Sequence, residues 1–256
     1  MPYYKGVTLL ITHYNRSHSL ERLLQAFKQL DMQFEAIVVS DDGSRPEHLE
    51  VAKAMVQTYQ YQLVTTPVNK GLGNNINKGQ DAVTTPYTLY IQEDFIPLPA
   101  LAQKLTDALA LLEEDSSFDV ARFYAYFKYP LLQPLKKGFS VMRFSLNPFS
   151  KGGYLKFYAY SDHPHLRRSN YFEKFGRYRE GLKTERTEYW MMMAFLQHKG
   201  KGLFYEDFQS LLEQYNPADE PSTVKRNYWR NSGSIIVTLA RNIYRHLRFN
   251  FDYLFR

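Results

Sequence analysis

The sequence contains no cysteine. That excludes a disulfide framework and any thiolate metal or redox chemistry, and it suits a reducing compartment. Nowhere do about 18 apolar residues run together, the length a membrane-spanning helix requires. Met1 to Asn15 also lacks the charged start, apolar stretch and small-residue cleavage site of a secretory signal. The expectation is a cytoplasmic protein. No Gly-Lys-Ser/Thr closes a glycine-rich loop, so a phosphate-cradling P-loop is excluded. Internal repeats and low-complexity segments are absent. Excess positive charge is missing from most of the chain as well. The net charge is +6, and residues 224–256 account for it with Lys225, Arg226, Arg230, Arg241, Arg245, Arg248 and Arg256 against the single acid Asp252. The first 223 residues are therefore neutral. A neutral body with a cationic tail argues against nucleic acid as partner, because a nucleic-acid site needs a basic patch on the folded core.

What is present fills a globular core. The 256 residues are 44% hydrophobic, enough for one large domain or two small ones. Val7 to Thr12 is an apolar, β-rich run, followed by the polar His13-Tyr-Asn-Arg-Ser17 and by Leu20, Leu23, Leu24, Phe27 and Leu30 at helical spacing. Ala36 to Ser40 repeats the strand signal and ends in Asp41-Asp-Gly-Ser44, a turn. A helix from His48 to Tyr59, a strand from Gln62 to Thr65, a helix ending near Gly79 to Val83 and a strand from Tyr87 to Ile91 follow. Strands alternating with helices predict a parallel α/β sheet. Ligands of such sheets bind where strands end, so the polar clusters at 12–17, 41–45 and 92–94 are expected on one edge. A helix from Ala100 to Glu114 follows Pro97 and Pro99. Composition then changes: 17 of the 61 residues from Phe118 to Tyr178 are aromatic, about 28% against 16% for the chain. Glu188 to His198 reads as helix and Gly202 to Tyr205 as strand.

Three clusters suit chemistry. Asp41 and Asp42 suit either hydrogen bonding to a base or ribose, or capping of their own turn. Asn69-Lys-Gly71 and Asn77-Lys-Gly79 bracket an amide-rich stretch that includes Asn75, readable on its own as a loop entering a helix. Gln92-Glu93-Asp94 offers oxygen ligands for a hard cation such as Mg²⁺ or Mn²⁺ held with phosphates, or forms a solvated turn.

Taken together, Thr12-His-Tyr-Asn15, Val38-Val-Ser-Asp-Asp-Gly-Ser44, the paired Asn-x-Gly segments and the acidic tripeptide resemble family 2 glycosyltransferases in order and spacing over residues 7–99. The resemblance implies a GT-A fold, a Rossmann-like, mostly parallel sheet flanked by helices. Residues 1–99 would be the nucleotide-sugar-binding half, 100–223 a variable acceptor-binding half of the same domain, and 224–256 a basic helical tail. It also implies inverting transfer from a nucleotide-diphosphate sugar, a UDP-sugar favoured, to a glycan or lipid-linked hydroxyl. Thr12, Tyr14, Asn15, Asp41, Asp42, Asn69, Gly71, Asn75 and Glu93 would hold the nucleotide. Asp94, with His163 as an additional ligand, would hold Mn²⁺ or Mg²⁺ on the diphosphate. Gln92 departs from the family's Asp-x-Asp at its first position. Glu188, twelve residues before Gly200, is the expected catalytic base with Glu185 as alternate, although Tyr189 stands where the family has a second acid. The same glutamates also suit a charged first turn stabilised by the helix dipole. Arg167 and Arg168 would neutralise a diphosphate or lie in water. A non-catalytic nucleotide-sugar or glycan-binding protein is the alternative reading.

If residues 234–256 are helical, Ile236, Leu239, Ala240, Ile243, Leu247, Phe251 and Leu254 share one face, with Arg241, Arg245, Arg248 and Arg256 opposite. That pattern suits either a helix at an anionic membrane surface, attaching the protein to the inner face of the membrane, or a helix packed on the body with its arginines in water.

Overall fold

A computed structural model describes residues 2–147, 151–221 and 235–256. Ser234, Lys225, Arg226 and Arg230 of the expected tail lie outside the described residues. The chain begins β1 (Tyr3–His13), α1 (Ser17–Gln29), β2 (Gln33–Asp41), α2 (Pro46–Tyr59), β3 (Gln62–Val64), α3 (Leu72–Asp81) and β4 (Tyr87–Gln92). These four strands lie in the order β3-β2-β1-β4, all parallel. β1 is covered on both sides, which is why its centre reads as an unbroken apolar run. Leu9 and Ile11 face the core shared with α1, α2 and the later helix α4 (Ala100–Glu114), whereas Leu10 faces a second core on the other side.

β4 leads through a turn into β5 (Phe95–Pro97). After α4 come β6 (Val120–Arg122), β7 (Leu132–Lys136), β8 (Phe139–Met142), β9 (His165–Arg168), α5 (Tyr171–Phe175), α6 (Thr184–Gln197), β10 (Gly202–Tyr205), β11 (Leu212–Gln214) and α7 (Ile235–Phe255). β9 joins the two halves by running antiparallel to both β4 and β6, so one nine-stranded mixed sheet continues as β9-β6-β10-β8-β7. β11 pairs separately with β5.

α3 is the element least like its sequence. Seven of its ten residues are glycine, asparagine, glutamine or aspartate, and it has no apolar stripe. It is held by side-chain amides instead. Asn75 accepts from the Ser40 hydroxyl and donates to the His13 carbonyl, Asn77 exchanges hydrogen bonds with the Tyr178 backbone, and Gln80 joins Thr88 and Arg167. Gly79 lets it seat directly on the sheet, where a Cβ would stand 2.6 Å from Leu10 Cδ1 and 2.8 Å from Ser40 Cβ.

α7 packs on α6, but with its polar face. Phe249 is buried among Tyr154, Phe157, Tyr158 and Tyr189. Asp252 accepts a 2.5 Å hydrogen bond from the Tyr189 hydroxyl. Arg245 bonds the Tyr154 hydroxyl, and Arg248 and Arg256 reach Asp252. Thus Arg245, Arg248 and Arg256 of the expected arginine face are held by Tyr154 and Asp252, while Leu239, Ile243, Leu247, Phe251 and Leu254 of the apolar stripe are exposed. No helix among the described residues is long and apolar enough to cross a membrane.

Candidate active site

The order β3-β2-β1-β4 reverses direction beside β1, and the crevice beyond the strand ends at such a point is where open α/β sheets bind ligands. A cavity of about 580 Å³ lies there. β1 contributes Thr12 and His13, with Tyr14 and Arg16 following; the loop after β2 contributes Asp42; Asn69, Gly71, Leu72 and Asn75 come from the start of α3. Opposite them stand Gln92, Glu93 and Asp94, then Tyr126, Asp162 and His163, and finally Thr184, Glu185 and Glu188 on α6.

Of the residues expected to hold nucleotide, Thr12, Tyr14, Asp42, Asn69, Gly71, Asn75 and Glu93 line this cavity, and Asn15 and Asp41 do not. Asn15 adopts φ 53°, a left-handed conformation asparagine tolerates, and ties β1 to the start of α2 by bonding Ser44 Oγ and the Arg45 amide. Asp41 is wholly buried. Its carboxylate bonds His13 Nδ1 at 2.8 Å and accepts from Thr65 Oγ1 at 2.8 Å and from the Gly43 and Ser44 amides, both at 3.1 Å. Burial alone would raise its pKa, but the His13, Ser44 and Thr65 bonds outweigh it and hold the carboxyl well below the usual range. A group with a depressed folded pKa stabilises above its unfolded value near 4 and loses that contribution as pH falls toward the folded value. Asp41→Asn is expected to cost about 2–4 kcal/mol at neutral pH. Urea midpoints of both proteins should converge below about pH 4; a gap independent of pH would show that Asp41 acts only by packing.

Asp42 lines the cavity with both oxygens already engaged, accepting from the Lys70 and Gly71 amides at 2.9 and 2.8 Å. It thereby fixes the Asn69–Gly71 loop. Burial raises its pKa against those bonds.

The acidic turn is built from three directions. Arg16, itself buried, brings its guanidinium within 3.5 Å of Glu93 and 3.6 Å of Asp94. Gln214, from β11, donates to Asp94 Oδ2 at 2.8 Å, and the Tyr215 amide donates to the Asp94 carbonyl. Asn216 and the Glu220 carbonyl accept from Arg16. Asp94 Oδ1 is buried without a hydrogen-bond partner. Burial, followed by the negative charge of Asp94, pushes the Glu93 carboxyl up to about 8, against the opposing pull of Arg16. No cluster of three or more His, Cys, Asp or Glu side chains able to hold a metal ion is present among the described residues. His163 lines the cavity but stands in an aromatic setting, its ring 4.5 Å from Tyr126 and its Nδ1 bonded to Ser161, and burial lowers its pKa to about 4. Asp94 and His163 therefore do not form a preassembled metal centre.

On the third wall the Asp162 amide donates to Glu188 Oε1 at 3.3 Å, and Gln92 donates to Asp162 Oδ2 at 3.4 Å. Burial, then the Glu188 charge, raises the Asp162 pKa well above the usual range. Glu185 lies one turn earlier on the same face of α6. Tyr189 is turned away from the cavity to Asp252. Arg167 and Arg168 do not reach the cavity: Arg167 is buried over Tyr171 and bonded to Gln80, while Arg168 donates to the Phe118 carbonyl.

Arg16, Tyr126, Asp162, Gln214 and Asn216 were not expected as site residues. Arg16 lies inside the polar loop after β1, and Asp162 directly precedes His163. Gln214 and Asn216 carried no sequence signal, since only β11 pairing with β5 brings them in.

A model of glycosyl transferase family 2 matches residues 8–192. The poly-β-1,6-N-acetyl-D-glucosamine synthase of Staphylococcus epidermidis is 23% identical over 92 residues, which are 36% of this chain and 22% of that protein. The match thus spans about a fifth of that relative's length. The crystal structure of S. aureus TarS 1–349 superposes with a TM-score of 0.62 at 16% identity, covering 97% of this chain and 72% of that one. The same protein in complex with UDP-GlcNAc gives 0.61 at 15% identity, covering 96% and 73%. The fold is shared with these structures.

Proposed function

Because the chain belongs to glycosyl transferase family 2, matched over residues 8–192, we propose that it moves a sugar from a nucleotide-diphosphate sugar to a glycan hydroxyl, inverting the anomeric carbon. One observation carries this reading. Three sequence-distant motifs, at Thr12 to Tyr14, Asp42 with Asn69 to Asn75, and Glu93-Asp94, meet Glu188 around a single cavity at the strand ends. A UDP-N-acetylhexosamine is the favoured donor, since TarS has been crystallised with UDP-GlcNAc and with UDP, and the curated relative makes an N-acetylglucosamine polymer.

The Glu188 carboxylate takes the acceptor hydroxyl proton as that oxygen bonds the anomeric carbon and the bond to the diphosphate breaks. The Asp162 amide steadies the Glu188 carboxylate, which orients the remaining lone pairs toward the acceptor. Thr12, Tyr14, Asn69 and Asn75 form the nucleotide side of the cleft. Asp94 fits a divalent cation brought in with the donor: Mg²⁺ takes one or two carboxylates plus substrate phosphates, and Oδ1 is a buried oxygen without a partner. When bound, Mn²⁺ or Mg²⁺ would neutralise the charge gathering on the leaving diphosphate.

Titration calorimetry with UDP-, GDP- and dTDP-sugars, each with and without Mn²⁺, tests this. UDP-GlcNAc is expected to bind, more tightly with Mn²⁺; silence toward every nucleotide sugar would overturn the proposal. Gln92 and Tyr189, in place of two acids, favour the alternative of a binding protein without turnover. Tight donor binding with no transfer or hydrolysis would select it.

Among the described aromatics of residues 118–178, Tyr126 is the one that lines the cavity, 60% exposed and steadied by its hydroxyl bond to Gln214. We assign its ring the acceptor sugar. Tyr126→Ala is expected to raise the acceptor KM about five- to tenfold, the equivalent of roughly 1 kcal/mol, with kcat near wild type. Tyr126→Phe should retain the lower KM, and initial rates against acceptor concentration would show it.

A further inference from the structure

Among the described residues, α7 is anchored by one face and exposed on the other. Its outer face carries Leu239, Ile243, Leu247, Phe251 and Leu254, 53–64% exposed, and Phe255, 70% exposed. Over the body, exposed large hydrophobics are scattered, with Tyr126 and Phe127 the one adjacent pair among the described residues; an apolar ridge along a helix about 30 Å long is less ordinary. The opposite face is committed to the protein through Phe249, Asp252 and the ring of Tyr189. These contacts leave the ridge facing outward.

Charge selects what covers the ridge. α7 carries three arginines, with Arg256 just beyond its end, against one acid, Asp252, which is buried and holds Arg248 and Arg256. The ridge itself contains no acid. Arg248 and Arg241 lie roughly 20–40° round the helix from Phe255, along one margin of the ridge. A second copy docking ridge to ridge would bring together two helices that each carry net positive charge. An anionic bilayer instead accepts the apolar side chains below its headgroups, with the net positive charge of the helix drawn to its phosphates.

We propose that the outer face of α7 docks the protein on an anionic lipid bilayer, with the Leu239–Leu254 ridge inserted and the net positive charge of the helix drawn to the headgroups. The inference does not depend on the sugar chemistry assigned to the cavity.

Flotation of the full chain with vesicles tests it. The protein is expected to float with two-to-one phosphatidylcholine–phosphatidylglycerol vesicles, to stay behind with phosphatidylcholine alone, and to be released by high salt. A Leu239→Gln, Leu247→Gln, Leu254→Gln triple variant should lose binding by at least about tenfold while keeping the wild-type melting temperature, since all three side chains are exposed. As a readout that needs no disabling substitution, Phe251→Trp should add tryptophan emission that moves to the blue with the anionic vesicles. Absent flotation of the wild type, or equal flotation by the triple variant, would overturn the proposal. So would a wild-type dimer in solution that the triple variant dissolves to monomer, because the ridge would then be covered by a second copy.

Discussion

Glu188→Gln is expected to leave donor binding near wild type and to reduce transfer by about 10²–10⁴-fold, the range of a positioned general base. The substitution is nearly isosteric, so the Asp162 amide keeps a partner oxygen and the α6 backbone has no reason to move. What disappears is the capacity to take a proton. Since the donor side of the cleft is built from the first 94 residues, KM for the nucleotide sugar should hardly change while kcat falls, the signature of a contact used only in the transition state. Glu185→Gln serves as the internal comparison. Glu185 lines the same cavity one turn earlier but at an exposed position, whereas Glu188 is half-buried beside Asp162. Steady-state rates of both variants with UDP-GlcNAc separate them: unchanged turnover in Glu188→Gln, with loss in Glu185→Gln, would transfer the role to Glu185.

Asp94→Asn is expected to abolish the Mn²⁺-dependent part of donor binding and to lower turnover by about 10³-fold, the equivalent of the several kcal/mol a Lewis acid contributes to a developing oxyanion. Asparagine keeps the shape, and an amide oxygen can still accept from Gln214. It loses the anionic charge that holds a hard cation. Calorimetry with UDP-GlcNAc and graded Mn²⁺ would read the effect directly. If Asp94→Asn bound donor with the wild-type Mn²⁺ dependence, Asp94 would not be the ligand, and the Arg16 guanidinium nearby would become the leading candidate for facing the diphosphate.

The sequence announced those parts of the molecule whose burial is apolar. β1, β2 and β4 stand out because both their faces are covered; α4 matches its expected extent, and α6 begins four residues earlier than expected, at Thr184. α3 was legible only as a helix end near Gly79, because a helix buried through amide hydrogen bonds has no hydrophobic periodicity to detect. Its motif residues were nonetheless visible as Asn-x-Gly pairs. The site was half legible for a related reason. Thr12, Asp42, Asn69 and Asp94 follow strands or turns that can be read locally. Arg16 becomes a site residue only through partners some 200 positions away, and Asp162 only because Gln92 and Glu188 converge on it. For Asp41 and Asp42 both early meanings were chemically open. The structure divides them between neighbours, with Asp41 serving the turn and Asp42 facing the cavity. The tail was seen as an amphipathic helix, but hydropathy alone could not say which face meets the protein, and here it is the arginine-bearing one.

Glu220 gives the chain a particular order of assembly. Its carboxylate accepts from the His18 and Ser19 amides at 2.9 and 2.8 Å, and from the Ser19 hydroxyl, so it caps a helix that lies 202 residues earlier. The first amides of α1 therefore gain this cap only when a segment some 200 residues later is in place. Closing so long a loop late is slow but costs little more free energy than closing a shorter one. The same closure draws Asn216 onto Arg16 and Gln214 onto Asp94. The acidic turn therefore takes the shape described only with residues 214–220 in place, and a chain ending before them would carry the motif without its Gln214, Asn216 and Glu220 contacts.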